Sequence, residues 1–230
     1  MRLCVIPARG GSKRIPRKNL KDFCGRPIIG WSVVAARRAG CFDQIIVSTD
    51  DEEIAATARN LGASTPFMRP PELSDDHTGT TAVIAHAIRH FDAAGTPPAL
   101  VCCLYATAPF ASSDDLRAGM ERLEASDADY AFPVTRYPFP IQRAVRLDEA
   151  QRMSMFQPEH FATRSQDLEE AWHDAGQFYW GRREAWLAGT PIFSPRSLGL
   201  PVPRHRVQDI DTPEDWLRAE WLFKAMQAGL

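Results

Sequence analysis

The chain has no Cys-x-x-Cys pair, no apolar run long enough to cross a bilayer, no excess of positive charge, no internal repeat and no low-complexity tract. Each absence removes a class of function. The longest nearly apolar stretch, Ala99 to Ala106, falls far short of the roughly 20 residues a spanning helix needs. Met1 to Ile6 lead into polar sequence rather than into the apolar core of a secretory signal. A cytoplasmic protein with no membrane partner is expected. Cys4, Cys24, Cys41, Cys102 and Cys103 form an odd set without zinc or disulfide spacing, so they read as reduced thiols. Cys102 and Cys103 lie in apolar sequence, where cysteine acts as a small hydrophobe. A formal net charge of −2 gives no global attraction to nucleic acid, so any anion must be held by a local cluster.

What is present is an alternation of strands and helices. The 230 residues suit one large α/β domain. Leu3 to Pro7 reads as a strand, Pro27 to Ala39 as a helix with Arg37 and Arg38 in its last turn and Gly40 beyond its end, and Gln44 to Ser48 as a second strand. Thr49 or Asp50 is expected to cap the next helix, which Gly62 ends. A helix near Thr80 to Phe91, a strand near Leu100 to Tyr105, a helix opened by Ser113-Asp114 and a strand near Tyr130 to Thr135 continue the rhythm. This predicts a mostly parallel sheet with helices on both faces. Between about Tyr137 and Asp174, Pro138, Pro140 and Pro158 interrupt the alternation, and the segment reads as an insertion. Strands are expected again at Gly176 to Trp180 and Val207 to Ile210, before a last helix with Thr212 as N-cap and Pro213 at its first position.

One cluster can hold an anion. Arg9, Lys13, Arg14, Arg17, Lys18 and Lys21 put six cations into thirteen residues, with no acid among them, beside Gly10, Gly11 and Ser12. Glycines let backbone N–H groups approach phosphate oxygens, and the cations neutralise charge on a leaving pyrophosphate. A solvated basic loop would have the same composition, but this one leaves the carboxyl end of the first strand, where open α/β sheets bind ligands. Its order, GGSKRIPRK, is neither the G-x-x-x-x-G-K-[ST] of a P-loop nor the G-x-G-x-x-G of a dinucleotide fold.

Asp209 and Asp211 stand two residues apart, so on extended backbone they would project from one face and could share Mg²⁺, or Mn²⁺ in its place. An ordinary turn before a capped helix has the same spacing. His86 and His90 share a helical face but lack the H-E-x-x-H of a zinc site. The loop from Tyr105 to Phe110 follows a buried strand and should line the cleft.

At IPARGGSKRIPRKN, Ile6 to Asn19, the sequence resembles the CMP-sialic acid synthetase family of cytidylyltransferases. IIVSTDDEEIA at Ile45 to Ala55, FMRP at Phe67 to Pro70, the Thr78 to Thr81 stretch and DIDTPEDW at Asp209 to Trp216 follow that family in order, so the likeness covers nearly the whole chain. CCLYATAPF at Cys102 to Phe110, RSQDLE at Arg164 to Glu169 and HDAGQFYWG at His173 to Gly181 are most similar to the branch of the family that uses pseudaminic acid.

The resemblance implies a three-layer, Rossmann-like nucleotidyltransferase fold and the transfer of CMP from CTP to an acidic nine-carbon sugar. It implies nucleotide contacts from Ala8, Arg9, Gly10, Gly11, Ser12, Lys13, Asn19, Arg69 and Thr80, with Arg9, Lys13, Lys18 and Asp211 closest to the chemistry. Asp209 and Asp211 would hold the metal. Tyr105, Arg143, Arg164, Gln166, His173, Gln177 and Tyr179 are the implied sugar contacts. The segment from Tyr137 to about Asp174 resembles a dimerisation segment that reaches over a partner's site, so a homodimer is expected. Two departures bear on the sugar: a glutamine-proline-threonine-serine-proline loop of sialic acid members is here Tyr105-Ala106-Thr107-Ala108-Pro109, and Gln142 stands where those members have a lysine. Legionaminic, sialic or Kdo-type acids, and a nucleotide-binding module without catalysis, remain alternatives at this point.

Overall fold

The computed structural model describes residues 1–75 and 78–229. β1 (Arg2–Pro7) leads through the basic loop to a short ribbon, β2 (Asp22–Phe23) and β3 (Arg26–Pro27), and then to α1 (Ile28–Ala39). There follow β4 (Gln44–Ser48), α2 (Glu52–Asn60), α3 (Thr80–Ala93), β5 (Leu100–Leu104), α4 (Ser113–Glu124) and β6 (Tyr130–Arg136). A separate hairpin, β7 (Val145–Leu147) with β8 (Met153–Met155), precedes β9 (Trp172–Asp174), β10 (Phe178–Arg182), α5 (Arg183–Ala188), β11 (Ser197–Pro201) and α6 (Pro213–Gln227).

The main sheet runs β11-β6-β10-β5-β1-β4, with β9 added against β6. β1 is parallel to β4 and β5, and β11 to β6; β10 is antiparallel to both its neighbours, and β9 to β6. The pleat divides each central strand between two cores. Cys4 and Ile6 of β1, with Cys102 and Leu104 of β5, face α1, α2 and α4. Leu3 and Val5, with Val101 and Cys103, face α3 and α5. The expected three layers are therefore present.

Helix ends follow local chemistry. Gly40 terminates α1 at φ +64°, a left-handed conformation that glycine adopts without steric cost. Thr212 caps α6 in a reciprocal box with Asp215. The cap of α2 is Asp51, whose carboxylate accepts from the N–H groups of Glu53 and Ile54, and not Thr49 or Asp50 as expected. Val207 to Ile210 is not a strand; that edge of the sheet is β11, five residues containing Gly199 and Pro201. Trp172 to Asp174, at the far end of the expected insertion, belongs to the main sheet.

A third core seats the basic loop. Ile15 from the loop, Phe23 from β2 and Ile28 from α1 pack with Trp216, Ala219 and Phe223 of α6. The Phe23 ring meets Trp216 and Phe223 edge-on, each at 5.4 Å between centroids. A loop of cations thus has an apolar keel, which fixes it against the helix that follows Asp209 and Asp211.

Candidate active site

The basic loop is held from both sides. Ala8 N–H donates to the Ser48 carbonyl at 2.9 Å, and Gly10 N–H to Asp50 Oδ1 at 2.9 Å. Ser12 N–H turns back to the Gly10 carbonyl at 3.0 Å, and Asn19 Nδ2 donates to the Arg9 carbonyl at 2.9 Å. Arg17, at φ +55°, reaches Asp51 Oδ2 at 2.6 Å and also pairs with Glu53. Burial acts against the charged form of Asp51, but the Ile54 N–H and the Arg17 guanidinium outweigh it, and the carboxyl lies below its ordinary range. In the sequence Asp50 reads only as a capping candidate, and nothing there ties Asp51 to the loop. Their hold on the loop depends on β4 lying beside β1.

Arg9, Ser12, Lys13, Lys18 and Asn19 line one cavity of about 420 Å³, closed opposite by Tyr105, Thr107 and Asp211. Asp211 Oδ1 lies 2.9 Å from Arg14 Nη2 and 3.4 Å from Lys18 Nζ, so the loop and the carboxylate segment meet. Asp209 accepts from the Ile210 N–H at 2.9 Å. Burial, and then the charge of Asp211, raise its pKa. Asp209 therefore sits where its charge is not fully compensated, while Asp211 is paired with Arg14 and Lys18. Among the described residues no group of three or more acidic, histidine or cysteine side chains gathers in metal-binding proximity.

Arg69 and Thr80 line a second cavity of about 240 Å³, which shares Pro7, Arg9 and Tyr105 with the first. Arg69 is 6 % exposed, and its Nη2 donates to the Ser48 carbonyl at 3.0 Å. Among the described residues, Arg69 Nε and Ser48 Oγ have no partner. Burial lowers the Arg69 pKa, and the charge of Asp50 opposes that shift.

The expected sugar contacts are scattered. Tyr105 alone among them lines the two cavities. Burial pushes its hydroxyl up to about 12, and its ring lies 5.6 Å from that of Tyr179. Tyr179 in turn donates to Asp174 Oδ2, and burial followed by the Tyr105 contact raises its pKa. The His173 ring lies 4.7 Å from that of Tyr137, tilted by 59°, and lines a third cavity of about 450 Å³ with Phe132, Trp172, Asp174 and Phe193. Gln177 is buried and donates to the Arg206 carbonyl at 2.6 Å. Arg143 donates to the Thr163 carbonyl at 2.5 Å, Arg164 pairs with Asp167 at 2.7 Å, and Gln166 lies in a hollow beside Pro138 and Pro140. These last three stand on the segment after β6, away from the basic cavity.

Comparison with known proteins accounts for the arrangement. The family model described as "Cytidylyltransferase" matches residues 3–207. The chain is 46 % identical over 222 residues, 96 % of both chains, to a pseudaminic acid cytidylyltransferase of Campylobacter jejuni. It is 28 % identical to the CMP-N,N'-diacetyllegionaminic acid synthase of Legionella pneumophila, over 99 % of this chain and 98 % of that one. Its fold is similar to that of a CMP:2-keto-3-deoxy-manno-octonic acid synthetase solved with CTP, at a TM-score of 0.69 and 17 % identity, covering 98 % of this chain and 99 % of that one. Sequence and fold agree: the chain is an enzyme of the cytidylyltransferase family.

Proposed function

We propose that this enzyme transfers CMP from CTP to pseudaminic acid, an acidic nine-carbon sugar, and releases pyrophosphate. The observation that carries the reading is the 420 Å³ cavity in which Arg9, Ser12, Lys13 and Lys18 face Asp211. The 46 % identity to the Campylobacter protein supports the choice of sugar. The anomeric hydroxyl attacks the α-phosphorus in line, its proton is lost, and the bond from the α-phosphorus to the bridging oxygen breaks. Arg9, Lys13 and Lys18 stabilise the charge gathering on the departing pyrophosphate. Arg69, Asn19 and Thr80 surround the nucleoside, with contacts from Ala8, Gly10 and Gly11.

Asp209 and Asp211 offer hard oxygen ligands, a donor set that fits Mg²⁺ or Mn²⁺, and the charge of Asp209 is not fully compensated. Such an ion, when bound, supplies charge neutralisation and acidifies the attacking hydroxyl. Arg14 and Lys18, which pair with Asp211, are also the cations a triphosphate would engage.

The protein is a cytoplasmic homodimer in this reading, with one domain spanning residues 1–230. The segment from Tyr137 to about Asp174 carries Arg143, Arg164 and Gln166 to the sugar of a partner subunit. Its outer surface bears exposed Phe139, Leu147, Met153 and Phe161, which supports burial against a second copy. Sedimentation should show a dimer; monomer alone at working concentration removes the shared site.

Pyrophosphate release, measured with four nucleoside triphosphates crossed against a panel of acidic sugars, tests the reaction. CTP with pseudaminic acid should dominate. Equal turnover with N-acetylneuraminic acid overturns the specificity, and an Asp211→Ala variant with undiminished turnover overturns the metal assignment.

A further inference from the structure

A line of side chains runs from the nucleotide cavities to the aromatic one. Tyr105 lines both nucleotide cavities, Tyr179 packs beside it, and the Tyr179 hydroxyl donates to Asp174 Oδ2. The Tyr179 ring lies 5.6 Å from Tyr105 on one side and 5.3 Å from Phe132 on the other. Asp174 closes the line and lines the 450 Å³ cavity.

The backbone holds that carboxylate firmly. Asp174 is paired with Val134 across β9 and β6, the next N–H, of Ala175, donates to the Pro133 carbonyl at 2.9 Å, and His173 Nδ1 lies 2.8 Å from the Asp174 carbonyl. Only one of its two oxygens is used: among the described residues Oδ1 has no hydrogen-bond partner, and no cation pairs with the group. Asp174 is half-buried, and its second oxygen is an acceptor at a cavity with several aromatic walls.

We propose that Asp174 is a substrate-recognition residue, whose Oδ1 accepts a hydrogen bond from an amide N–H or hydroxyl of the acidic sugar. The proposal rests on the reading of the enzyme as a CMP transferase to such a sugar. Phe132, Tyr137, Trp172 and Phe193 supply apolar walls for ring carbons and acyl methyl groups. The negative charge at their centre repels the sugar's own carboxylate, which therefore points out of this cavity and toward the cations of the basic loop. One fixed anion selects a donor at one end of the sugar and turns its acid away. Oδ2, through Tyr179 and Tyr105, makes Asp174 at the same time a support for the wall against which the nucleotide lies.

The test is initial-rate pyrophosphate release by the full chain with CTP and pseudaminic acid, comparing wild type with Asp174→Ala, Asp174→Asn and Tyr179→Phe. Loss of a hydrogen bond to a charged group predicts that Asp174→Ala raises KM for the sugar about 10- to 100-fold. KM for CTP should move by less than about twofold, the split that general loosening would not produce. Asp174→Asn, which keeps size and one acceptor, should recover part of the loss. Tyr179→Phe, which spares Oδ1, should raise the sugar KM less than Asp174→Ala does. If Asp174→Ala does not fold, Asp174→Asn carries the test, and an unchanged sugar KM in it overturns the proposal. Equal increases in both KM values overturn it too. Wild type that is inactive with every acidic sugar overturns the underlying reaction as well, whereas an active wild type with an unaffected Asp174→Ala overturns the role of Asp174 alone.

Discussion

Adding one methyl group at Gly10 should cost this enzyme both stability and its grip on CTP, whereas the same change at Gly11 should leave the fold intact. A Cβ at Gly10 would stand 2.8 Å from Asp51 Oδ2 and 3.0 Å from Asp51 Cβ; at Gly11 it would meet nothing within 4 Å. Asp51 cannot step aside freely, because its carboxylate caps α2 through Glu53 and Ile54 and holds Arg17. Losing the cap costs about 0.5–2 kcal/mol and the half-exposed ion pair about 0.2–1 kcal/mol. The combined loss is about 1–3 kcal/mol, which for a chain of this size lowers Tm by roughly 2–12 °C. Displacing the loop that carries Lys13 and Lys18 should lower kcat/KM for CTP about 10- to 100-fold, the scale of an ångström-sized misplacement at a reacting centre. Differential scanning fluorimetry and pyrophosphate release on Gly10→Ala, Gly11→Ala and wild type provide the comparison. Equal melting temperatures for the two variants, or Gly10→Ala at wild-type kcat/KM, would refute the reasoning.

Gly181→Ala should fail more completely: its Cβ would fall 2.7 Å from the Tyr130 ring and against Trp186 Nε1, both side chains fully buried, so little soluble protein should be recovered. Ellman's reagent should modify Cys24 first in the native enzyme, since the other four cysteines are buried, and burial raises the pKa of Cys41 to about 11 and those of Cys102 and Cys103 well above the ordinary thiol value; rapid reaction of all five would contradict the packing. Arg196 holds Asp129 through two hydrogen bonds, of 2.8 and 3.0 Å, and the first effect on that carboxyl is a lowered pKa. A depressed folded-state pKa stabilises above the ordinary carboxylate range and is lost as pH falls through the depressed value. Arg196→Met should therefore be less stable than wild type at neutral pH, and the gap should narrow as pH falls below the ordinary carboxylate range; urea unfolding at neutral and at acid pH checks the sign.

Much of the fold was legible because its signals are local. The glycine at the end of α1, the Thr212-Pro213 start of α6 and the apolar strands β1 and β5 each carry their own chemistry. β11 was not, because Ser197 to Pro201 has little strand character of its own and becomes a strand only beside β6, where Gly199 admits Val134. The basic loop was legible from charge density, and Asp211 is where that density required a counterpart. The tethers Asp50 and Asp51 depend on the pairing of β1 with β4, and Asp174 on the pairing of β9 with β6. Neither pairing is written in any short stretch of residues. Gln177, a sugar contact by resemblance, is held by a carbonyl nearly thirty residues further along the chain, a contact no short stretch of sequence announces.

The placement of β10 has a consequence for how the chain is made. β5 and β6 never touch; the strand between them is supplied by Phe178–Arg182. On a ribosome, β4, β1 and β5 can assemble early, while every residue of β5 is of a kind that ends up buried and its outer edge has no mate. β6 emerges next to an empty slot and must wait through the whole excursion from Tyr137 to Gln177. A nascent chain halted there would present two bare apolar edges, each a template for another strand. The last third of the polypeptide is thus the keystone of a sheet begun in the first, and premature termination before Arg182 should yield aggregate rather than a smaller enzyme.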